Sequence, residues 1–207
     1  MIELVRKFGT GGCFFIAEIG NNHQGDLEIA KTMVLSAKNA GASAVKFQKR
    51  NNKNLMQRNM AGQTYINRNS FGKSYLEHRE AVELTIQDFA ELKEFCDANK
   101  ILFFATPFDE ESLEELASLD CDLYKVASAD IVHTELLRKI AKKSKPVILS
   151  TGGASIEEVD EAVELIKSYQ VPFSLLQCTA AYPCETLDMN LRVLQSFKAR
   201  YADVILG

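Results

Sequence analysis

The chain has 207 residues, 46% hydrophobic and 25% charged, with a formal net charge of −4 and five cysteines. That length suits one compact domain with a sizeable core and does not require two. Mild acidity without a Lys/Arg-rich run argues against a nucleic-acid surface, and apolar runs no longer than a strand argue against a membrane span.

Residues 1–12 close on Gly9-Thr10-Gly11-Gly12 and read as an extended segment or hairpin at the bottom of the fold. No signal-peptide pattern opens the chain, because Glu3, Arg6 and Lys7 are followed by a glycine turn. The cysteines, at 13, 96, 121, 178 and 184, form no C-x-x-C pair and read as reduced thiols, three or four of them packed as small hydrophobes. A cytoplasmic location follows as the expectation.

From there the chain alternates strand-sized apolar runs with segments of helical period. The strand runs are Phe14–Ile19, Ala44–Gln48, Ile101–Thr106, Leu123–Val126, Val147–Ser150, Phe173–Cys178 and one beginning at Val204. Most are apolar on both faces, as parallel strands between helices must be. Leu27, Ala30, Val34 and Ala37 recur at helical spacing before Gly41. Thr85 with Asp88, and Ser155 with Glu158, carry the reciprocal capping pattern that opens a helix. Further helices fit Glu110–Leu119, Thr134–Lys142 and Leu191–Tyr201. Residues 49–84 form a long polar connection after the second strand, a position that overhangs the strands' carboxyl ends.

Strand–helix alternation predicts an α/β protein with a parallel sheet. Gly20-Asn21-Asn22-His23-Gln24-Gly25 lacks the dinucleotide-binding glycine spacing. Polar residues instead gather at the carboxyl end of nearly every strand, which favours a (β/α)8 TIM barrel over an open doubly wound sheet. A full barrel takes about 250 residues, so the chain reads as a barrel truncated in its seventh strand. An open barrel carries two unpaired strand edges, from which dimerisation, swapping or aggregation is expected.

Glu18, Lys46, Gln48 and Lys125 are polar side chains set within or at the ends of apolar runs. Ionised groups in buried strands cost several kcal/mol unless paired or used. One explanation is a structural ion pair of Glu18 with Lys46. The other is an anion pocket with lysines as point charges and strand-end hydroxyls and glycine amides around them. His23 fits a turn-stabilising role or a substrate contact, and His78 and His133 show no metal-ligand spacing. Cys178 and Cys184 read as packing residues rather than a redox pair.

Six motifs taken together resemble the N-acetylneuraminate (sialic acid) synthase family of nonulosonate synthases. They are Ala17-Glu18-Ile19-Gly20-Asn21-Asn22-His23-Gln24-Gly25, Val45-Lys46-Phe47-Gln48, Thr106-Pro107-Phe108, Tyr124-Lys125-Val126-Ala127-Ser128, Ile148-Leu149-Ser150-Thr151-Gly152 and Cys178-Thr179-x-x-Tyr182-Pro183. The resemblance implies a metal-dependent transferase of carbohydrate biosynthesis that condenses phosphoenolpyruvate with an N-acylated mannose-like sugar and releases phosphate. By match of motif, Lys46 and Lys125 would hold the phosphoenolpyruvate carboxylate and phosphate, helped by Thr106, Ser128, Ser150 and the Gly152 amide. Glu18 and Lys125 would be the catalytic pair, Glu18 handling a proton or positioning water. Gln48, Asp130 and Tyr182 would face the sugar.

The family pattern implies a divalent metal, Mn2+ or Mg2+, as Lewis acid, with its histidine ligands falling beyond Gly207. It also implies a homodimer, capped by a C-terminal antifreeze-like domain that is absent from these residues. On that reading this chain by itself is inactive. Two positions depart from the family: Ala180 stands where it commonly has Asn, and Asp130 where it often has Glu. Both point to a sugar other than that of plain N-acetylneuraminate, such as a legionaminate or pseudaminate precursor. Two rivals stand beside this reading: a Schiff-base keto-acid aldolase using Lys46 or Lys125, and a non-catalytic barrel remnant that binds a sugar or partner.

Overall fold

The computed structural model describes residues 13–56 and 58–207. The described residues fall into two compact units, 13–121 and 122–207. The expected N-terminal extension, residues 1–12, lies outside the described residues.

In the first unit, strands β1 (Ile16–Gly20), β2 (Ala44–Lys49) and β3 (Leu102–Pro107) pair in parallel and in that order. Ala44, Val45 and Phe47, and Leu102 through Ala105, are 2% exposed or less, as strands covered on both faces should be. Helix α1 (Leu27–Asn39) is opened by Asp26, whose side chain accepts from the Ile29 N–H, and it turns Ala30 and Val34 inward.

The 49–84 connection is not structureless. Its described residues form three short helices, α2 (Asn52–Leu55), α3 (Arg58–Ala61) and α4 (Tyr75–Ala81). Helix α4 starts with a reciprocal capping box of Ser74 and Glu77. His78 anchors its aromatic surroundings: Nδ1 accepts from the Phe71 N–H at 3.2 Å, and the Tyr65 ring lies 4.6 Å away. Both ends of the connection are fastened where β2 and β3 finish. Arg50 N–H donates to Glu83 Oε1 at 2.9 Å, and Asn51 N–H donates to Asp109 Oδ2 at 2.7 Å. The Arg50 guanidinium lies 3.6 Å from the Phe108 ring centre.

Helix α5 (Ile86–Ala98) follows the Thr85–Asp88 box and buries Phe89, Leu92 and Cys96. Helix α6 (Glu110–Ser118) is capped by Asp109, which is only 8% exposed because it serves both the cap and the Asn51 amide.

In the second unit β4 (Tyr124–Val126), β5 (Val147–Ser150), β6 (Phe173–Leu176) and β7 (Ile205–Leu206) are also parallel and sequential. Helix α7 (Thr134–Lys142) buries Leu136, Leu137, Ile140 and Ala141; α8 (Ile156–Ser168), after the Ser155–Glu158 box, buries Val159, Ala162, Val163 and Ile166. Helix α9 (Val193–Arg200) is tied to α8 by Asp160, which accepts from Arg200 Nε and from the Tyr201 hydroxyl, each at 2.7 Å. Those donors hold the Asp160 carboxyl at about 2, well below the usual carboxylate range.

Every strand expected from the sequence is present, shortened or shifted by two residues or fewer at its ends. The cysteine expectation needs correcting. Cys96 and Cys121 are buried, Cys13 is exposed, and Cys178 and Cys184 are half-buried. Two of the five, not three or four, are packed as core residues.

Candidate anion-binding site

Each unit carries a buried lysine within a strand, and each lysine is held by a hydroxyl on the next strand. In the first unit, parallel pairing sets Glu18 opposite Lys46 and Gln48 opposite Thr106. Lys46 Nζ donates to Thr106 Oγ1 at 2.8 Å and forms an ion pair with Glu18 Oε2 at 2.8 Å. Lys46 is 7% exposed. Burial pulls its pKa below the ordinary lysine value, and the Glu18 carboxylate works against that pull. Gln48 Nε2 reaches the other Glu18 oxygen at 3.5 Å, a long contact. The Glu18–Lys46 ion pair, one of the two explanations the sequence offers, therefore exists. Because the Glu18 side chain is 48% exposed, this pair remains open to a ligand.

His23, in the loop after β1, is 1% exposed and lies 5.9 Å from the Phe47 ring. Its Nδ1 accepts from the Gly25 N–H at 3.1 Å, so the ring is a neutral turn-former. Gly25 is obligatory there: its φ is +79°, and a β-carbon would fall 2.2 Å from the Ala81 carbonyl oxygen. Burial pushes the His23 pKa down, opposed by the Gly20 carbonyl and by Asp26 and Asp88. Below the ordinary value of 6.5 the unfolded chain takes up a proton that the folded chain refuses. Stability that is complete above that pH is therefore lost as pH falls towards the lowered folded value. Chemical denaturation of the wild-type chain and of H23Q between pH 7 and 5 should give a shallower acid-side decline in the variant. Parallel declines would mean that His23 does not titrate differently on folding.

In the second unit Lys125 is 6% exposed. Its Nζ donates to the Val126 carbonyl at 2.6 Å and to Ser150 Oγ on β5. The Gly152 N–H donates to Ser128 Oγ at 3.0 Å. A β-carbon on Gly152 would meet that oxygen at 3.0 Å and the Cys178 carbonyl oxygen at 3.1 Å, so a larger residue there would push these loops apart by a few tenths of an ångström. Lys125 is thus paired with Ser150, and Gly152, two residues further along the same strand end, with Ser128. Asp130 ends the 3-10 turn Ser128–Asp130 and is half-buried. Tyr182 stands apart, 99% exposed, on the connection after β6.

One member of this second cluster escaped the sequence reading. The Cys178 thiol donates to Ser150 Oγ at 3.3 Å. The signal available was its place at the end of a strand run whose neighbour ends in Ser150, but the contact depends on register between strands that a sequence does not print. Cys178 also lines an open cavity of about 520 Å³, together with Thr151, Gly153, Gln177, Ala180 and Phe197.

Among the described residues no group of three or more His, Cys, Asp or Glu side chains could hold a metal ion. No helix of the described residues is long and apolar enough to cross a membrane.

Parallel strands in sequential order, with helices between them, mark an α/β protein of the (β/α)8 class. The NeuB family model matches residues 33–207, and the chain belongs to that family. It is 37% identical, over its whole length and 58% of the other protein, to the N-acetylneuraminate-9-phosphate synthase of Homo sapiens. It is likewise 37% identical to the N,N'-diacetyllegionaminic acid synthase of Legionella pneumophila, over 94% of this chain and 58% of that protein. Among solved structures, the N-acetylneuraminic acid (sialic acid) synthetase of Leptospira borgpetersenii, in complex with citrate, is 36% identical. It covers 94% of this chain and 63% of its own, with a TM-score of 0.81. The fold class expected from the sequence, α/β of the (β/α)8-barrel type, is the one found. The chain spans 58% of the length of the two curated relatives.

Proposed function

We propose that this chain is part of a nonulosonate synthase that condenses phosphoenolpyruvate with an N-acylated mannose-like sugar and releases phosphate. The observation that carries the reading is the second-unit cluster: Lys125 on β4 held against Ser150 on β5, with Ser128 and the Gly152 amide beside them. Lys125 supplies the charge, and the hydroxyl and amide supply directed donors, for an anionic group of phosphoenolpyruvate. The solved relative was crystallised with citrate, a polycarboxylate, which supports an anion pocket in the family.

In the first unit the same logic gives Lys46 and Thr106 an anion-binding role. Glu18, ion-paired to Lys46 yet half exposed, is the group suited to hold a proton or orient water. In the reaction, carbon three of phosphoenolpyruvate attacks the open-chain aldehyde, water adds at carbon two, and phosphate leaves by C–O cleavage. Gln48, Asp130 and Tyr182 are proposed sugar contacts. A divalent metal, manganese or magnesium, belongs to this reading as a Lewis acid, and the described residues offer it no ligand cluster. A cytoplasmic homodimer completes the proposal.

The test is phosphate release from phosphoenolpyruvate with Mn2+ and a panel of N-acylated mannosamine-type sugars. It is run on this chain and on a chain extended to the length of the relatives. Sugar-dependent release by the extended protein supports the synthase and names its sugar; folded protein that releases none, while still binding sugar, supports the non-catalytic reading. Pruned Lys46 basicity also favours an amine nucleophile, so a borohydride-trapped pyruvate adduct without metal would replace the synthase by a Schiff-base aldolase.

A further inference from the structure

Ser150 accepts two hydrogen bonds, one from Lys125 Nζ and one from the Cys178 thiol at 3.3 Å. A serine hydroxyl has two acceptor lone pairs and one proton. With both lone pairs engaged, the proton is the only hydrogen-bonding capacity left to it. Among the described residues Ser150 makes no donated bond, and at 5% exposure it has little access to bulk water.

Resting on the anion-binding reading of Lys125, we propose that Cys178 is a positioning residue that fixes the Ser150 hydroxyl as a donor to the bound anion of phosphoenolpyruvate. Remove the thiol, and the hydroxyl gains a second orientation. Its proton can then occupy the vacated place, leaving a lone pair towards the anion.

The main chain of Cys178 also lies close to Gly152. Its carbonyl oxygen lies 3.1 Å from where a β-carbon on Gly152 would sit, so the residue adjoins Gly152 as well as the Ser150 hydroxyl. This placement differs from that of the buried Cys96, whose thiol burial pushes up to about 12. Cys96 is a core residue, whereas Cys178 sits half-buried on an open cavity with its S–H spent on a site hydroxyl.

Two measurements test this. The first needs no ligand: the infrared S–H stretching band of Cys178 is assigned by its loss in C178A, then followed in S150A. It should move to higher frequency when the acceptor is removed; an unmoved band overturns the proposal.

The second is calorimetric titration with phosphoenolpyruvate in wild type, C178A, C178S, S150A and the C178A/S150A double variant. Affinity should fall about three- to ten-fold in C178A, the worth of one modest hydrogen bond, and stay within about two-fold of wild type in C178S. In the S150A background the Cys178→Ala change should add nothing. Wild-type binding that is indifferent to Cys178, or an equal loss in both backgrounds, overturns the positioning role alone. No wild-type affinity for phosphoenolpyruvate in folded protein overturns the anion reading, and the positioning role with it.

Discussion

Replacing Lys125 with alanine is expected to weaken phosphoenolpyruvate binding by roughly thirty- to a hundred-fold, the equivalent of about 2–3 kcal/mol for a charge-assisted contact. The ammonium is 6% exposed and already positioned by Val126 and Ser150, so the ligand need not order it on arrival. Its desolvation is met in the folded protein before any anion binds, and what the anion gains is an attraction little screened by water. Lys125→Met separates charge from packing, since it keeps an apolar stem of similar length. It should bind as poorly as K125A while unfolding closer to wild type. Calorimetric titration with phosphoenolpyruvate measures the first quantity and urea denaturation the second. A variant that binds like wild type would remove Lys125 from the site.

The largest stability effect is expected from Phe47→Ala, at about 3–5 kcal/mol. Phe47 is fully buried on β2, with ring centres of Phe103 at 5.5 Å, His23 at 5.9 Å and Phe89 at 6.1 Å. Truncation leaves a cavity that β3, α5 and the first loop cannot close together, because each is held by its own hydrogen bonds. Phe15→Ala is the control: that ring is 55% exposed, and its loss should cost about 0.5 kcal/mol or less. Urea midpoints for the two variants give the comparison directly. Equal shifts would contradict the burial that defines this core.

Much of the framework was legible because its signals are local. Two capping boxes, Thr85–Asp88 and Ser155–Glu158, were read from residue types three positions apart, and both form. Ser74–Glu77 has the same form but lies in a polar stretch without apolar period, so its sequence reads as loop where the structure has a helix. The anion-binding candidates announced themselves as charges in apolar runs: Lys46 and Lys125 have no cheap reason to sit in buried strands. The Cys178–Ser150 bond did not, because it joins residues 28 positions apart through strand register, and a half-exposed cysteine resembles a packed one in sequence. Tyr182 shows the reverse case. Its motif position suggested a ligand contact, but its side chain is 99% exposed, and a motif cannot state what covers a side chain.

The fastening of residues 49–84 at both ends has a consequence for how this protein can diversify. Arg50 is bound to Glu83, and Asn51 to Asp109 beside the end of β3, so the excursion leaves and returns through one neighbourhood. Chain-closure entropy grows only logarithmically with length, by about 0.6 kcal/mol per doubling. Residues in its outer part, away from the buried Asn52 and Val82 and from Ala81 beside Gly25, can be inserted, deleted or exchanged at small thermodynamic cost while Lys46 and Thr106 keep their register. The excursion is thus an interchangeable cassette, able to acquire a new outer contour without re-founding the strands beneath it.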